Sequence, residues 1–217
     1  MSSEYAVIGL GQFGEAVARH LAEHGQSVLA IDQDMDRVDG IKEAVDAAVK
    51  ADATDESALR GLRIEEMRCA VVAFGAKSTE ASIMTTALLR QIGVPRIVGR
   101  SVNTLHSRIL RQVGATDVID PEAEMGERLA RRLARPSIIE QIDLGDAILA
   151  EVDVPEMFVG ESISDLDVRK SYGVLVLAIR RGSDVKTNPA SDTVFETGDV
   201  VVVIGAEKAV EELASLA

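Results

Sequence analysis

Short apolar runs alternate with stretches of helical period through the first half of the chain. The runs are Tyr5-Ala-Val-Ile8, Val28-Leu-Ala-Ile31, Ala47-Ala-Val-Lys-Ala51, Ala70-Val-Val-Ala-Phe74, Pro95 to Arg100 and Asp117-Val-Ile119. Between them the apolar residues recur at helical spacing. A helix is predicted from Glu15 to Glu23 with Ala16, Val17 and Leu21 inward, and Gly25 placed to stop it. A second is predicted from Asp34 to Glu43, with Val38 and Ile41 inward. Thr54 or Asp55 is suited to cap a helix from Glu56 to Gly61. Ser78 is suited to cap one from Thr79 to Gln91, with Ile83, Ala87 and Leu88 in phase. Asn103 or Thr104 opens a helix to Val113, which Gly114 closes. Apolar runs without polar alternation are expected of strands covered on both faces. Strands alternating with helices in this way predict an α/β domain: a doubly wound parallel sheet.

The pattern changes after Asp120. Pro121 is placed in the first turn of a helix that runs to Arg135, with Met125, Leu129 and Leu133 on one face, and Pro136 ends it. Ile148 to Val154 then alternates, and Val174 to Ile179 and Val200 to Ile204 are β-rich. Gly160, Gly173, Gly182 and Gly198 punctuate these runs, and Glu207 to Leu216 reads as a closing helix. The expected organisation is a first domain at 1–135, including the crossover helix 121–135, and a small α+β domain at 139–217.

The most informative polar positions follow the first run. Gly9, Gly11 and Gly14 fall where a strand turns into a helix. There they serve a tight turn, a close backbone approach to phosphate, and helix-on-strand packing. The second strand ends in Asp32, where an acid meets a ribose hydroxyl in Rossmann-like dinucleotide folds. The ends of the third and fourth strands, Asp52-Ala53-Thr54 and Gly75-Ala76, converge on the same sheet edge. A nucleotide-free doubly wound domain remains the alternative, since its tight turns also use glycine.

Charge narrows the partners. The 217 residues carry a net charge of −13, which argues against nucleic acid and against direct adhesion to anionic lipid. Hydrophobic content of 47% supports a sizeable core. The single cysteine, Cys69, cannot form an intrachain disulfide and reads as a small core residue. No apolar run approaches a membrane span, and the Met-Ser-Ser-Glu start lacks a signal-peptide pattern. The expectation is a cytoplasmic protein with no direct membrane insertion.

Catalytic chemistry is sparse. His20 and His24 share a helical face but lack a third ligand at suitable spacing, so a solvated face is the simpler reading. His106 has no carboxylate partner nearby in sequence. A nucleotide site without machinery to transform the nucleotide points to a sensor rather than an enzyme. An NAD(P)-dependent oxidoreductase and a free-standing nucleotide-binding adaptor are the competing classes.

Several motifs together resemble one family. Gly9-Leu-Gly11-Gln12-Phe13-Gly14, Ala53-Thr54, Phe74-Gly75-Ala76 and Asp120-Pro121-Glu122-Ala-Glu-Met125-Gly126 are similar to the RCK domain of the TrkA/KtrA type. Ser162-Ile163-Ser-Asp165-Leu166-Asp-Val168-Arg169 and Tyr172-Gly173 are similar to that family's C-terminal domain. The resemblance implies a cytosolic regulatory subunit of a potassium transport system, peripheral at the inner face of the membrane through a TrkH/KtrB-type pore subunit. It implies a homodimer that assembles into a homo-octameric ring. It places an adenine nucleotide (ADP or ATP, or NAD or NADH) against Gly9 to Gly14, the ribose at Asp32 and the adenine near Asp52, Ala53 and Thr54. Gly75, Ala76 and Arg100 would lie near phosphate. Gln12 stands where ATP-responsive relatives carry arginine, which leaves NAD(H) or AMP open as ligands. Glu122 matches a position that holds a divalent or sodium ion, or else serves only its own helix start. Ile163, Val168, Arg169 and Pro189 match stretches that bind cyclic di-AMP in some relatives, or else pack a dimer.

Overall fold

The structure is a computed structural model that describes residues 4–217. The reading of the first three residues therefore lies outside the described residues. The chain divides into two compact units, Met1–Met125 and Gly126–Ala217.

The first unit carries β1 (Tyr5–Ile8), α1 (Gln12–Glu23), β2 (Val28–Asp32), α2 (Met35–Ile41), β3 (Ala47–Lys50) and α3 (Glu56–Gly61). It continues with β4 (Cys69–Val72), α4 (Thr79–Ile92), β5 (Ile97–Arg100), α5 (Thr104–Val113) and β6 (Asp117–Ile119). The helix α6 (Pro121–Ala134) spans the division between the units. The six strands are parallel in the order β3-β2-β1-β4-β5-β6. Reversal of strand order beside β1 creates a crevice at the carboxyl ends of β1 and β4, the usual ligand position in such sheets. Ile8, Ile31, Val72 and Ile97 fill one face of the sheet, and Val7, Val28, Ala30 and Val71 the other. Each of these valines and isoleucines contributes about 1.5–3 kcal/mol when fully buried.

Helix boundaries follow the expected caps in part. Asp34, Asp55 and Asn103 accept hydrogen bonds from the first turns of α2, α3 and α5. Ser78 precedes α4 but makes no side-chain cap. Ala16 is exposed, and the inner face of α1 is Gly14 and Ala18, with Val17 and Leu21 half-buried. The reason is the glycine: α1 lies so close to the sheet at Gly14 that the contact line turns toward small residues. In α4 the buried stripe is Ser82, Thr85, Thr86 and Leu89, and Ile83, Ala87 and Leu88 are only half-buried. Two hydroxyls find carbonyls, Thr86 that of Ser82 (2.7 Å) and Thr85 that of Ala53 (3.0 Å), while the buried Ser82 hydroxyl has no partner among the described residues. Cys69 is a buried free thiol at the start of β4, and burial pushes its pKa up. Met125, Leu129 and Leu133 share a face of α6 as the spacing predicts, and all three are exposed.

The second unit contains β7 (Ile138–Asp143), β8 (Ile148–Asp153), α7 (Val168–Tyr172), β9 (Val174–Arg181), β10 (Asp184–Thr187), β11 (Val200–Gly205) and α8 (Glu207–Ala214). Its five strands form an antiparallel sheet in the order β10-β9-β11-β8-β7. The strands β7 and β10, absent from the sequence reading, lie at its edges. Phe158, Phe195, Val203 and Leu213 lie in its core.

Candidate functional site

Three glycines shape the turn after β1. A Cβ on Gly14 would stand 1.8 Å from the Gly9 carbonyl oxygen, so no other residue fits. Gly9 lies at φ +93°, with Phe74 and Ala73 pressed against it. Gly11 differs: nothing lies within 4 Å of the place its Cβ would take. The backbone there faces open space. Gly11 also supplies no side-chain cap to α1, so the first-turn amides, at the positive end of the helix dipole, are left without a side-chain acceptor.

Asp32 ends β2 with its carboxylate turned to this loop, only 8% exposed. Its Oδ2 accepts the Leu10 N–H at 2.6 Å, and its Oδ1 accepts the Asp34 N–H at 2.9 Å. Arg37 Nη1 approaches Oδ2 at 3.4 Å. The acid thus staples the glycine turn to β2 and keeps acceptor capacity for a further donor, since an ionised carboxylate offers about four lone-pair positions. Asp32, Asp34, Arg37, Thr54, Phe74 and Ser78 line a cleft of about 330 Å³ at the strand ends.

The third strand end is held from two sides. The Thr54 hydroxyl (2.6 Å) and N–H (2.8 Å) both donate to Asp52 Oδ1, which holds the Asp52 carboxyl below its usual range. Ala53 is buried and its carbonyl accepts the Thr85 hydroxyl, while Thr54 reaches the cleft. Asp52 and Ala53 do not line it.

At the opposite side of the turn, Arg100 ends β5. Its guanidinium carbon lies 5.4 Å from the centroid of the Phe13 ring. A Cβ on Gly75 would be 4.0 Å from Nη1. Nη2 donates to Glu122 Oε1, in the first turn of α6. Gln12 and Ala76 are exposed.

The remaining candidates are dispersed. His20 Nδ1 pairs with Glu23 (2.7 Å) and His24 Nδ1 with the His20 carbonyl (2.7 Å). Among the described residues no group of three or more His, Cys, Asp or Glu side chains gathers for a metal. His106 is buried, both ring nitrogens lack a partner among the described residues, and burial pushes its pKa down. In the second unit Val168 is a core residue, Ile163 packs against that core, Pro189 is half-buried and Arg169 is exposed. Sequence reasoning missed Arg37, Phe74 as a lining residue, Ser78 in the cleft, and Thr85. Only Arg37, charged and one turn past the strand-end acid, carried a legible signal.

A six-stranded parallel sheet, a glycine turn and an acid at the neighbouring strand end define the class: a Rossmann-like ligand-binding unit, here followed by a small antiparallel unit. The chain belongs to the TrkA family, with residues 5–121 matching the TrkA-N domain and residues 148–217 the TrkA-C domain. It is 34% identical over 206 residues to Ktr system potassium uptake protein C of Bacillus subtilis, covering 94% of this chain and 93% of that protein. It is 34% identical over 215 residues to Ktr system potassium uptake protein A of Vibrio alginolyticus, covering 98% and 97%. The crystal structure of the GsuK RCK domain shares the fold with a TM-score of 0.68 at 19% identity, over 100% of this chain and 48% of that one. The GsuK channel bound to NAD does so at 0.65 and 18%, over 100% and 39%. The chain thus spans less than half the length of those GsuK chains. Among the described residues no helix is long and apolar enough to cross a membrane.

Proposed function

We propose that the chain is a nucleotide-sensing, non-enzymatic regulatory subunit of a potassium uptake system. It works at the cytoplasmic face of the membrane through a membrane-spanning potassium-translocating partner. The observation that carries this reading is the pairing of Asp32 with the open backbone at Gly11. A buried carboxylate with spare acceptor capacity stands beside a helix start that has no side-chain cap. That combination suits a ribose hydroxyl on one side and phosphate on the other. Residues 9–14, Asp32, Thr54, Gly75 and Arg100 would hold an adenine or nicotinamide nucleotide (ADP, ATP, NAD or NADH), with Asp52 and Ala53 shaping the adenine end through the Thr54 turn. The uncharged Gln12 provides no fork for a terminal phosphate, which leaves Arg100 and, beside Asp32, Arg37 as the cations of the site.

The bound group supplies binding energy, not chemistry. A ligand shifts a ring only by as much as it binds the two ring states differently. Dimers assembled into an octameric ring would convert that difference into gating. A divalent or sodium ion at Glu122 would draw further ligands from a second copy, since one chain gathers no such group among its described residues. Of the four positions considered for cyclic di-AMP, Arg169 offers an exposed cation for such a ligand, whereas Val168 is enclosed.

The test is potassium flux through vesicles holding the translocating subunit with this chain bound. Flux should change on adding nucleotide, and Asp32→Asn should blunt the change. Flux indifferent to every nucleotide, in a complex that forms, would contradict the reading.

A further inference from the structure

The Arg100 guanidinium is enclosed but incompletely satisfied. Its side chain is 15% exposed. Its Nε is shielded and has no hydrogen-bond partner among the described residues. One face stacks on Phe13, and the Nη1 edge looks toward Gly75, where no side chain intervenes. The guanidinium has five N–H donors in a fixed fork. Among the described residues a single carboxylate oxygen, from Glu122, answers it. That partner comes from the rim: the Glu122 side chain is 62% exposed. A permanently charged, partly desolvated cation held by one solvent-exposed anion is a poor structural pair, because water screens the carboxylate while the cation remains short of acceptors.

We infer that Glu122 is a built-in competitor of the nucleotide's phosphates for Arg100, so that binding of a longer phosphate chain releases Glu122. The inference rests on the nucleotide reading proposed above. A phosphate lying along the open Gly11 backbone approaches Arg100 from the Gly75 side. It offers several anionic oxygens to a fork that Glu122 meets at one point. The released carboxylate is not stranded. It stays in the first turn of α6, where the helix dipole favours an acid, and it is already largely hydrated. Exchange therefore costs little and answers to phosphate count. The ion pair sets how strongly the site distinguishes a diphosphate from a nucleoside.

Calorimetric titration of the full chain with adenosine, AMP, ADP and ATP, in EDTA so that no divalent cation intervenes, tests this. In the wild-type chain affinity should rise along the series. Glu122→Gln should tighten ADP and ATP about twofold, the size expected for removing a weakly held competing anion from a partly exposed pair. It should leave adenosine unchanged. Arg100→Gln should flatten the series, and adding Glu122→Gln to it should then have no effect, as expected when one residue acts only through the other. A wild-type series that climbs, with Glu122→Gln equal to it or weaker, would overturn the inference alone. Failure of the wild-type chain to bind any member would overturn the inference, and failure to bind NAD and NADH as well would overturn the nucleotide reading with it.

Discussion

Each unit of the chain contains a conspicuous arginine–carboxylate pair, and the two are built in opposite ways. In the second unit Asp199 is enclosed, its side chain 0% exposed. Arg181 embraces it with two bonds, Nε to Oδ1 at 2.8 Å and Nη2 to Oδ2 at 2.9 Å. The Glu196 N–H adds a third at 2.9 Å. In the first unit the arginine is the enclosed member, the acid is exposed, and one contact joins them. The first arrangement satisfies the desolvated charge and ties a turn to the sheet. The second leaves acceptor demand beside an open glycine loop. Both use the same ion pair chemistry, and the difference lies in which partner is desolvated and how many of its groups are answered. A closed pair of this kind serves stability, and an open one serves exchange.

Removing the carboxylate should separate the two sharply. Asp199→Ala strips the Glu196 N–H of its acceptor and Arg181 of two bonds, leaving Arg181 the Glu196 carboxylate and the Val194 carbonyl, and should destabilise the second unit by about 2–3 kcal/mol, below the full buried-pair range because Arg181 is partly exposed and keeps those partners. Calorimetric unfolding reads this directly. Arg181 also holds the Asp199 carboxyl below its ordinary value of 3.8. A depressed native pKa means that the unfolded chain binds the proton first. The pair's contribution is therefore present above pH 3.8 and is lost as pH falls through the lower native value. Asp199→Asn should remove that part of the acid dependence. An unchanged acid limb would make the closed pair decorative.

A smaller effect is expected at the floor of the open region. Thr85→Val keeps shape and burial but leaves the Ala53 carbonyl without its hydroxyl donor, at a cost of about 1 kcal/mol. Thr85→Ser should recover most of it. The smallest effect belongs to the open pair itself. Glu122→Gln retains an acceptor for Arg100 in a solvent-exposed position and should shift stability by less than about 0.5 kcal/mol. A loss as large as that for Asp199→Ala would erase the contrast between the pairs.

Much of this was legible in the chain. Continuous apolar runs with helical spacers fix a parallel sheet because both faces must be covered, and the six strands fall where the runs do. Gly9, Gly14 and Asp32 were readable because turn geometry and strand length leave few alternatives at those positions. What escaped depends on close approach in three dimensions. Ala18 rather than Ala16 is buried because Gly14 sets how near α1 comes. The polar stripe of Ser82, Thr85 and Thr86 looks like a surface in sequence, yet two of its hydroxyls are answered by carbonyls, one of them on another element. The Arg100–Glu122 pair joins a strand end to a helix start, and neither residue signals the other. The edge strand β10 carries a single apolar residue, Val185, and β7 interrupts its isoleucines with Glu140 and Gln141, so neither shows a continuous run or a clean alternation.

The central claim is that the crevice at the glycine turn reads a nucleotide. The most direct measurement is calorimetric titration of the full chain with ATP, ADP, AMP, NAD and NADH, comparing wild type with Asp32→Asn. Asparagine keeps an acceptor for the Leu10 N–H while removing the charge, and its NH2 group takes the place of the oxygen that accepts the Asp34 N–H. The account predicts saturable binding of at least one of these nucleotides, weakened about tenfold or more in the variant, as expected for losing a hydrogen bond to a charged group, with the variant still folding cooperatively at a modestly lower unfolding temperature because the Asp34 N–H loses its acceptor. Equal affinity in the two proteins, or no binding to either, would contradict it.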